Sequence, residues 1–381
     1  MNATNDSLDR TGTDVDESDI TFRGYARSDG SIGIRNQVLV IPSVICSHVA
    51  ADRIAAQVEG AKSTAHDHGC AQLGSDNEQT RRTLIGVAQN PNVAGSLLVG
   101  LGCEHVRSGD VTEQLDDLGE TARELVIQDV GGTDPTIDQG VEVARDLVAG
   151  TENGRTEGGL EDVTVGIVSS DLEDGTVSTA DPLLGAFVDR VIDAGGRVVA
   201  AGVERVVANP EEARSRVRAG AIDDFDDLIE RHTGIPGRKS NVRRTAEELD
   251  FRTSTRAWGD QPIVEVLDYG ELASHDSGLA IVDAPSEFGE AATGLAASGA
   301  TVIVHVTDEG IPTGHPVSPV IKLTGNGHTY EALQSDLDLN AERNSVSDLG
   351  ELVESVLDGA ETSAESHGLE EFAITRVGPS M

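Results

Sequence analysis

The sequence predicts an α/β protein of two Rossmann-like halves with largely parallel sheets. From Gln37 onward, short apolar runs alternate with longer amphipathic stretches, and repeated strand-then-helix order implies right-handed crossovers and parallel pairing. The rhythm breaks at GTENGRTEGGLE (150–161), rich in Gly, Thr and charge, and then resumes. The expected organisation is a disordered acidic tail over 1–20, a first α/β domain over 21–150, a linker over 151–160 and a second α/β domain over 161–381.

In the first half QVLVIPSVI (37–45) reads as a buried strand and SHVAADRIAAQVEG (47–60) as a helix with Ser47 at its N-cap. KSTAHDH (62–68) holds a second strand end, and SDNEQTRRTLIGVAQN (75–90) a helix with a capping box of Ser75 and Glu78. VAGSLLVGLG (93–102) is a third strand, DVTEQLDDL (110–118) a helix, RELVIQDV (123–130) a fourth strand and TIDQGVEVARDLVAG (136–150) its helix. The second half repeats the pattern with strands at 162–171, 196–202, 277–285, 300–307 and 317–325. Its helices fall at 181–195 and 288–299, with a charged helical stretch over 209–250.

The chain has 381 residues with 67 acidic against 28 basic side chains, a formal net charge of −39, yet 38% of it is hydrophobic. That excess argues against binding nucleic acid or an anionic membrane. The periodic apolar runs argue against general disorder. A carboxylate-rich chain with lysine only at 62, 239 and 322 points to a halophilic enzyme, so the charge reflects the solvent. No apolar run is long enough to span a bilayer, and the N-terminal stretch lacks the apolar core of a secretory signal. Three widely spaced cysteines argue for a reducing cytoplasm and against a disulfide scaffold.

The chemistry concentrates where strands end. SLLVGLGCEHV (96–106) runs from apolar residues into Cys103, Glu104 and His105. Cys46 ends the first strand, and His66, His68 and Cys70 follow the second. Ligands of open parallel sheets bind at such carboxyl ends. A single cysteine is usually a small buried hydrophobe, but all three here fall on one edge of one expected sheet. Cys46, His66, His68, Cys70 and Cys103 mix thiolate with imidazole, a donor set suited to iron or zinc. An iron–sulfur cluster on the three thiolates is a further option, although the usual C-x-x-C spacings are absent.

FRGYARSDGSIGIRN (22–36), HDHGC (66–70), NPNVAGSLLVGLGCE (90–104) and QDVGGT (128–133) together resemble the successive signatures of the altronate/galactarate dehydratase family. The resemblance runs over nearly the whole chain after the tail, with looser matches such as GIPTGHPVSPVIKLTGN (310–326). It implies a hydro-lyase dependent on a divalent metal, iron first, with manganese or zinc as alternatives, that converts a sugar acid (aldonate or aldarate) to a 2-keto-3-deoxy acid. A sulfolactate sulfo-lyase large subunit is similar too, so sulfite is an alternative leaving group. The family's small SAF-type domain is not seen before Phe22, so a separate small subunit is expected, and a homo-oligomer with it.

Dehydration next to a carboxylate needs a base for the α-proton, an acid for the β-hydroxyl and positive groups against the enediolate. His66 and His68 are candidates for base or ligand, Glu104 for acid, and Cys46, His66, Cys70 and Cys103 for the metal set. Arg27, Asp29 and Arg35 belong either to a structured loop, with Gly30 and Gly33 at positive φ, or to an anion-gripping one. Gly131, Gly132 and Thr133 are candidates for an oxyanion cradle at a helix start, and Lys322 for substrate binding. The second half departs from the family: Val168 and Ser169 replace a Cys-Gly pair, two lysines are missing from 247–261, and Glu309 stands where a substrate-gripping arginine is expected. These departures imply a different substrate, compensation by Arg252, Arg256 or the partner subunit, or a catalytically degenerate sugar-acid-binding homologue.

Overall fold

The computed structural model describes residues 20–70, 72, 74–151, 154–233 and 240–377. The tail expected over 1–20 lies outside these except for Ile20, which is 5% exposed and packed in the core rather than in a tail.

Among the described residues the strands form three sheets. Strand β1 (Thr21–Ala26) pairs antiparallel with β2 (Ile32–Gly33) and with β7 (Arg155–Gly159). Half of the residues expected as linker therefore form a strand, recruited because β1 offers an unpaired edge.

The first parallel sheet has the order β4 (Ala61–Ser63), β3 (Gln37–Pro42), β5 (Val93–Gly100), β6 (Ala122–Val126). Its helices are α1 (His48–Ala55), α2 (Ser75–Ala88), α3 (Ser108–Asp117), α4 (Ile127–Val130) and α5 (Thr133–Gly150). Val38 to Ile41 are all 0% exposed. Burial on both faces is why such strands read as continuous apolar runs rather than alternating ones.

The second parallel sheet has seven strands. They are β8 (Thr164–Ser169), β9 (Arg197–Ala200), β10 (Ile263–Leu267), β11 (Gly278–Val282), β12 (Val302–Val306), β13 (Val320–Thr324) and β14 (Leu339–Asn340), in the order β10-β11-β9-β8-β12-β13-β14. Helix α6 (Asp181–Asp193) follows β8.

Several local expectations fail. The strand expected over 123–130 stops at Val126, and Ile127–Val130 form the helical turn α4. The Ser75–Glu78 capping box does not form, because Gly74 takes the N-cap position with φ +55° and Ser75 is already helical. Ser47 does occupy the N-cap of α1, but its hydroxyl donates to Val44 O at 2.8 Å instead of accepting from the helix.

The two parallel sheets are tied by buried asparagines. Asn92 Oδ1 accepts from the Ile34 and Arg35 amides, while its Nδ2 donates to Thr301 O and Val317 O at 2.8 and 3.1 Å. Asn90 Nδ2 donates to Ala296 O and Ala300 O. Gly86 of α2 lies so close to the helix Phe288–Ala297 that a Cβ would collide with Ala297 O and Gly270 O. This close seam places loops of both halves around one cavity.

Candidate active site between the two sheets

In the first parallel sheet, β4 and β5 flank β3 on opposite sides, so the crevice beyond β3 and β5 is a topological switch point where ligands bind. Three loops meet there. Ser43 Oγ donates to Glu104 Oε1 at 3.1 Å, the Ile45 amide to His68 O at 2.8 Å, and the His105 amide to Gly69 O at 3.2 Å. Gly69, at φ +90°, packs so tightly on Ser43 that a Cβ would collide with its carbonyl. Cys46, Cys70 and Cys103 thus lie on three mutually bonded loops, each as a free, exposed thiol.

The histidines are committed elsewhere. His66 Nε2 donates to Pro42 O at 2.7 Å and its Nδ1 accepts from the His68 amide at 3.1 Å. His68 Nε2 donates to Ile374 O at 2.8 Å and its Nδ1 accepts from Gln72 Nε2 at 2.7 Å. Burial pushes the His66 imidazole down to about 4 and lowers that of His68, so both are neutral at pH 7. With all four ring nitrogens occupied, neither has a lone pair for a proton or a metal. Among the described residues, no three His, Cys, Asp or Glu side chains are grouped to hold an ion. The set Cys46, His66, Cys70 and Cys103 as arranged does not fit a metal, and no chemical step below runs through one.

Glu104 is no acid either. It is buried, and amides including those of Gly102 and Cys103, with the Ser43 hydroxyl, hold its carboxyl below the usual value against the opposing effect of burial. It ties the loop together as an acceptor.

The arginine-rich loop is structural. Arg27 donates to Pro91 O, Asn36 Oδ1 and Arg35 O at 2.6, 2.9 and 2.9 Å. Arg35 forms a two-pronged pair with Glu365, both contacts 2.8 Å, and also donates to the Ile34, Val356 and Ala360 carbonyls. Asp29 accepts from the amide and hydroxyl of Ser31. These guanidiniums clamp chain segments instead of gripping a ligand. Gly30 does take φ +91°, whereas Gly33 is a strand residue of β2, kept small by Pro91 O.

Gly131 and Gly132, at φ +104° and +121°, open α5 at the end of the first parallel sheet, but neither they nor Thr133 line the cavity described next. Lys322 is also elsewhere: it is fully buried on β13 beside His305 of β12, and its Nζ has no hydrogen-bond partner among the described residues. Arg252 pairs with Asp260 at 3.5 Å and, with Arg256, lines a separate hollow.

What the two halves do build is a cavity of about 520 Å³, lined by His48, His66, Asp67 and His68 from the first and by Glu290 and residues 372–376 from the second. His48, the first residue of α1, points Nδ1–H at Ile45 O, and its Nε2 has no hydrogen-bond partner among the described residues. Glu290, in the first turn of Phe288–Ala297, has its carboxyl raised by burial and by Glu287 and Glu204, against a hydrogen bond from Thr375 and the positive charge of Arg376. An imidazole nitrogen and a carboxylic acid that line one cavity are the kinds of group a β-elimination needs. Sequence reasoning missed both. The one available signal was that His48 stands two residues past Cys46 at the same strand end.

The chain is 29% identical to altronate dehydratase of Bacillus subtilis over 84% of its own length and 69% of the relative's. It is 27% identical to altronate dehydratase of Escherichia coli over 94% and 78%. It is 29% identical to (2R)-sulfolactate sulfo-lyase subunit beta of Chromohalobacter salexigens over 94% and 97%. The protein is a lyase. Sequence models of the D-galactarate dehydratase/altronate hydrolase second domain and of the D-galactarate/altronate dehydratase C-terminal domain match residues 24–152 and 253–380, and the chain belongs to that family. Among the described residues, no helix is long and apolar enough to cross a membrane.

Proposed function

We propose that the protein is a hydro-lyase that dehydrates an aldonate or aldarate to a 2-keto-3-deoxy acid in the cavity between the two sheets. His48 Nε2 takes the proton from the carbon next to the carboxylate. Glu290 gives its proton to the β-hydroxyl, which leaves as water, and the resulting enol takes a proton at C3 while its C2 hydroxyl releases one, giving the ketone. Atoms balance without any further reactant. The observation that carries this reading is that His48, with an unpaired ring nitrogen, and the raised Glu290 carboxyl line one cavity from opposite halves of the chain.

A second reading has its own support. The sulfo-lyase subunit is matched over 97% of its length, so the two chains are nearly coextensive, and its name speaks of a multi-subunit enzyme. In that reading a sulfite group leaves from sulfolactate, and a separate small subunit completes the enzyme in either case. A screen of aldonates, aldarates and sulfolactate, with 2-keto acid and sulfite measured side by side, tests both. A 2-keto product without sulfite supports the hydro-lyase, sulfite release the alternative, and no product from any of them contradicts both.

A further inference from the structure

We infer that Arg376, carried by the C-terminal segment, grips the carboxylate of a 2-hydroxy acid in the cavity between the sheets; the inference rests on the lyase reading above. The side chain is exposed and lines the cavity, its charge acts on Glu290 and His68, and no hydrogen bond or close ion pair ties it to another described residue. Among the described lining residues it carries the one permanent positive charge, since His66 and His68 are neutral and Asp67 and Glu290 are acids. A carboxylate entering a chain of net charge −39 meets repulsion almost everywhere else. A guanidinium with its donors uncommitted binds a carboxylate through two parallel bonds.

The backbone beneath Arg376 is held from both halves. Ala373 N donates to Thr293 Oγ1 at 3.2 Å and Tyr269 Oη to Ala373 O at 3.1 Å. From the first half, His68 donates to Ile374 O, Gln79 Nε2 to Thr375 O at 2.6 Å, and Asp76 Oδ1 receives the Val377 amide at 2.7 Å. A terminal segment sutured on both sides of the residue is a rigid mount, and a rigid mount reduces the ordering cost of binding. Neither Arg252 nor Arg256 lines this cavity. The mount also explains why His68 is bonded to Ile374 O: the histidine anchors the arginine's segment.

The test is binding by calorimetry to the full chain, using a six-carbon aldonate, sulfolactate and an alditol of the same length that lacks the carboxylate. The parent is expected to prefer whichever acid it turns over to the alditol. Arg376→Gln should weaken that acid about 10- to 100-fold, the range of a lost charge-assisted bond, and leave the alditol unchanged. Arg376→Lys should recover part of the loss, and KM should rise far more than kcat falls. Because the side chain is exposed, an unchanged melting temperature confirms that the variant is folded. A parent that turns over an acid while Arg376→Gln binds it equally well overturns the inference and leaves the lyase reading standing. A parent that neither binds nor converts any of the acids overturns both.

Discussion

Ser43 and Glu104 are joined across the crevice between β3 and β5, Oγ donating to Oε1 at 3.1 Å, so the two strands that part at the switch point are tied at their tips. Because the folded state holds the Glu104 carboxyl below its ordinary value, its stabilisation is present above the unfolded value of about 4.5 and is lost as pH falls through the lowered folded value. Glu104→Gln is therefore expected to be less stable than the parent at pH 7 by about 1–3 kcal/mol, with the gap narrowing as pH falls below the unfolded value of about 4.5. Urea melts at pH 7 and pH 3.5 measure it.

Asp181 gives the opposite slope. It is fully buried at the start of α6, accepts from Ser169 Oγ at 3.2 Å, and leaves Oδ2 without a partner. Burial pushes its carboxyl up to about 7, against the attraction of Arg205 and with some repulsion from Asp171. The unfolded carboxyl ionises first, so stability falls as pH rises from about 4 to about 7 and levels off above. Asp181→Asn should lack this slope, and its melting temperature relative to the parent should rise between pH 4 and pH 8. A difference that stays constant with pH would show that Asp181 is ionised throughout.

His66 positions other groups. His66→Ala leaves Pro42 O and the His68 amide without partners in a buried place, which costs roughly 2–4 kcal/mol in a denaturant titration. A variant with unchanged stability and no turnover would restore His66 as the base.

The three thiols are exposed in the folded chain, so all three should react with a disulfide reagent without denaturant. Protection by added ferrous, manganous or zinc ion would reveal a ligand set formed only when the three loops move together.

The parallel strands were legible because each is a short apolar run between helical stretches, and burial on both faces forces that pattern. The sheet of β1, β2 and β7 was not legible. Its strands are short and glycine-containing, and β7 is a strand only because β1 folds back to pair with it. The gathering of the cysteine loops followed from strand ends alone. Which histidine nitrogen is free did not: His48, His66 and His68 differ in what their rings bond to, and those partners, Ile45, Pro42 and Ile374, are set by the tertiary fold. Arg27 and Arg35 looked like ligand grips because guanidinium forks suit carbonyls and carboxylates alike. Glu290 and Arg376 reach the cavity only through the close seam between the halves, which no local pattern announces.

The most direct measurement is turnover of the accepted hydroxy acid by His48→Gln and Glu290→Gln beside the parent, with melting temperatures recorded for each. Both variants should stay folded and lose about 100-fold or more in kcat, the usual worth of a positioned acid or base. The parent's kcat should fall as pH rises through the raised Glu290 value, because the proton it donates is then gone. Parent-like turnover in both variants would contradict catalysis in this cavity.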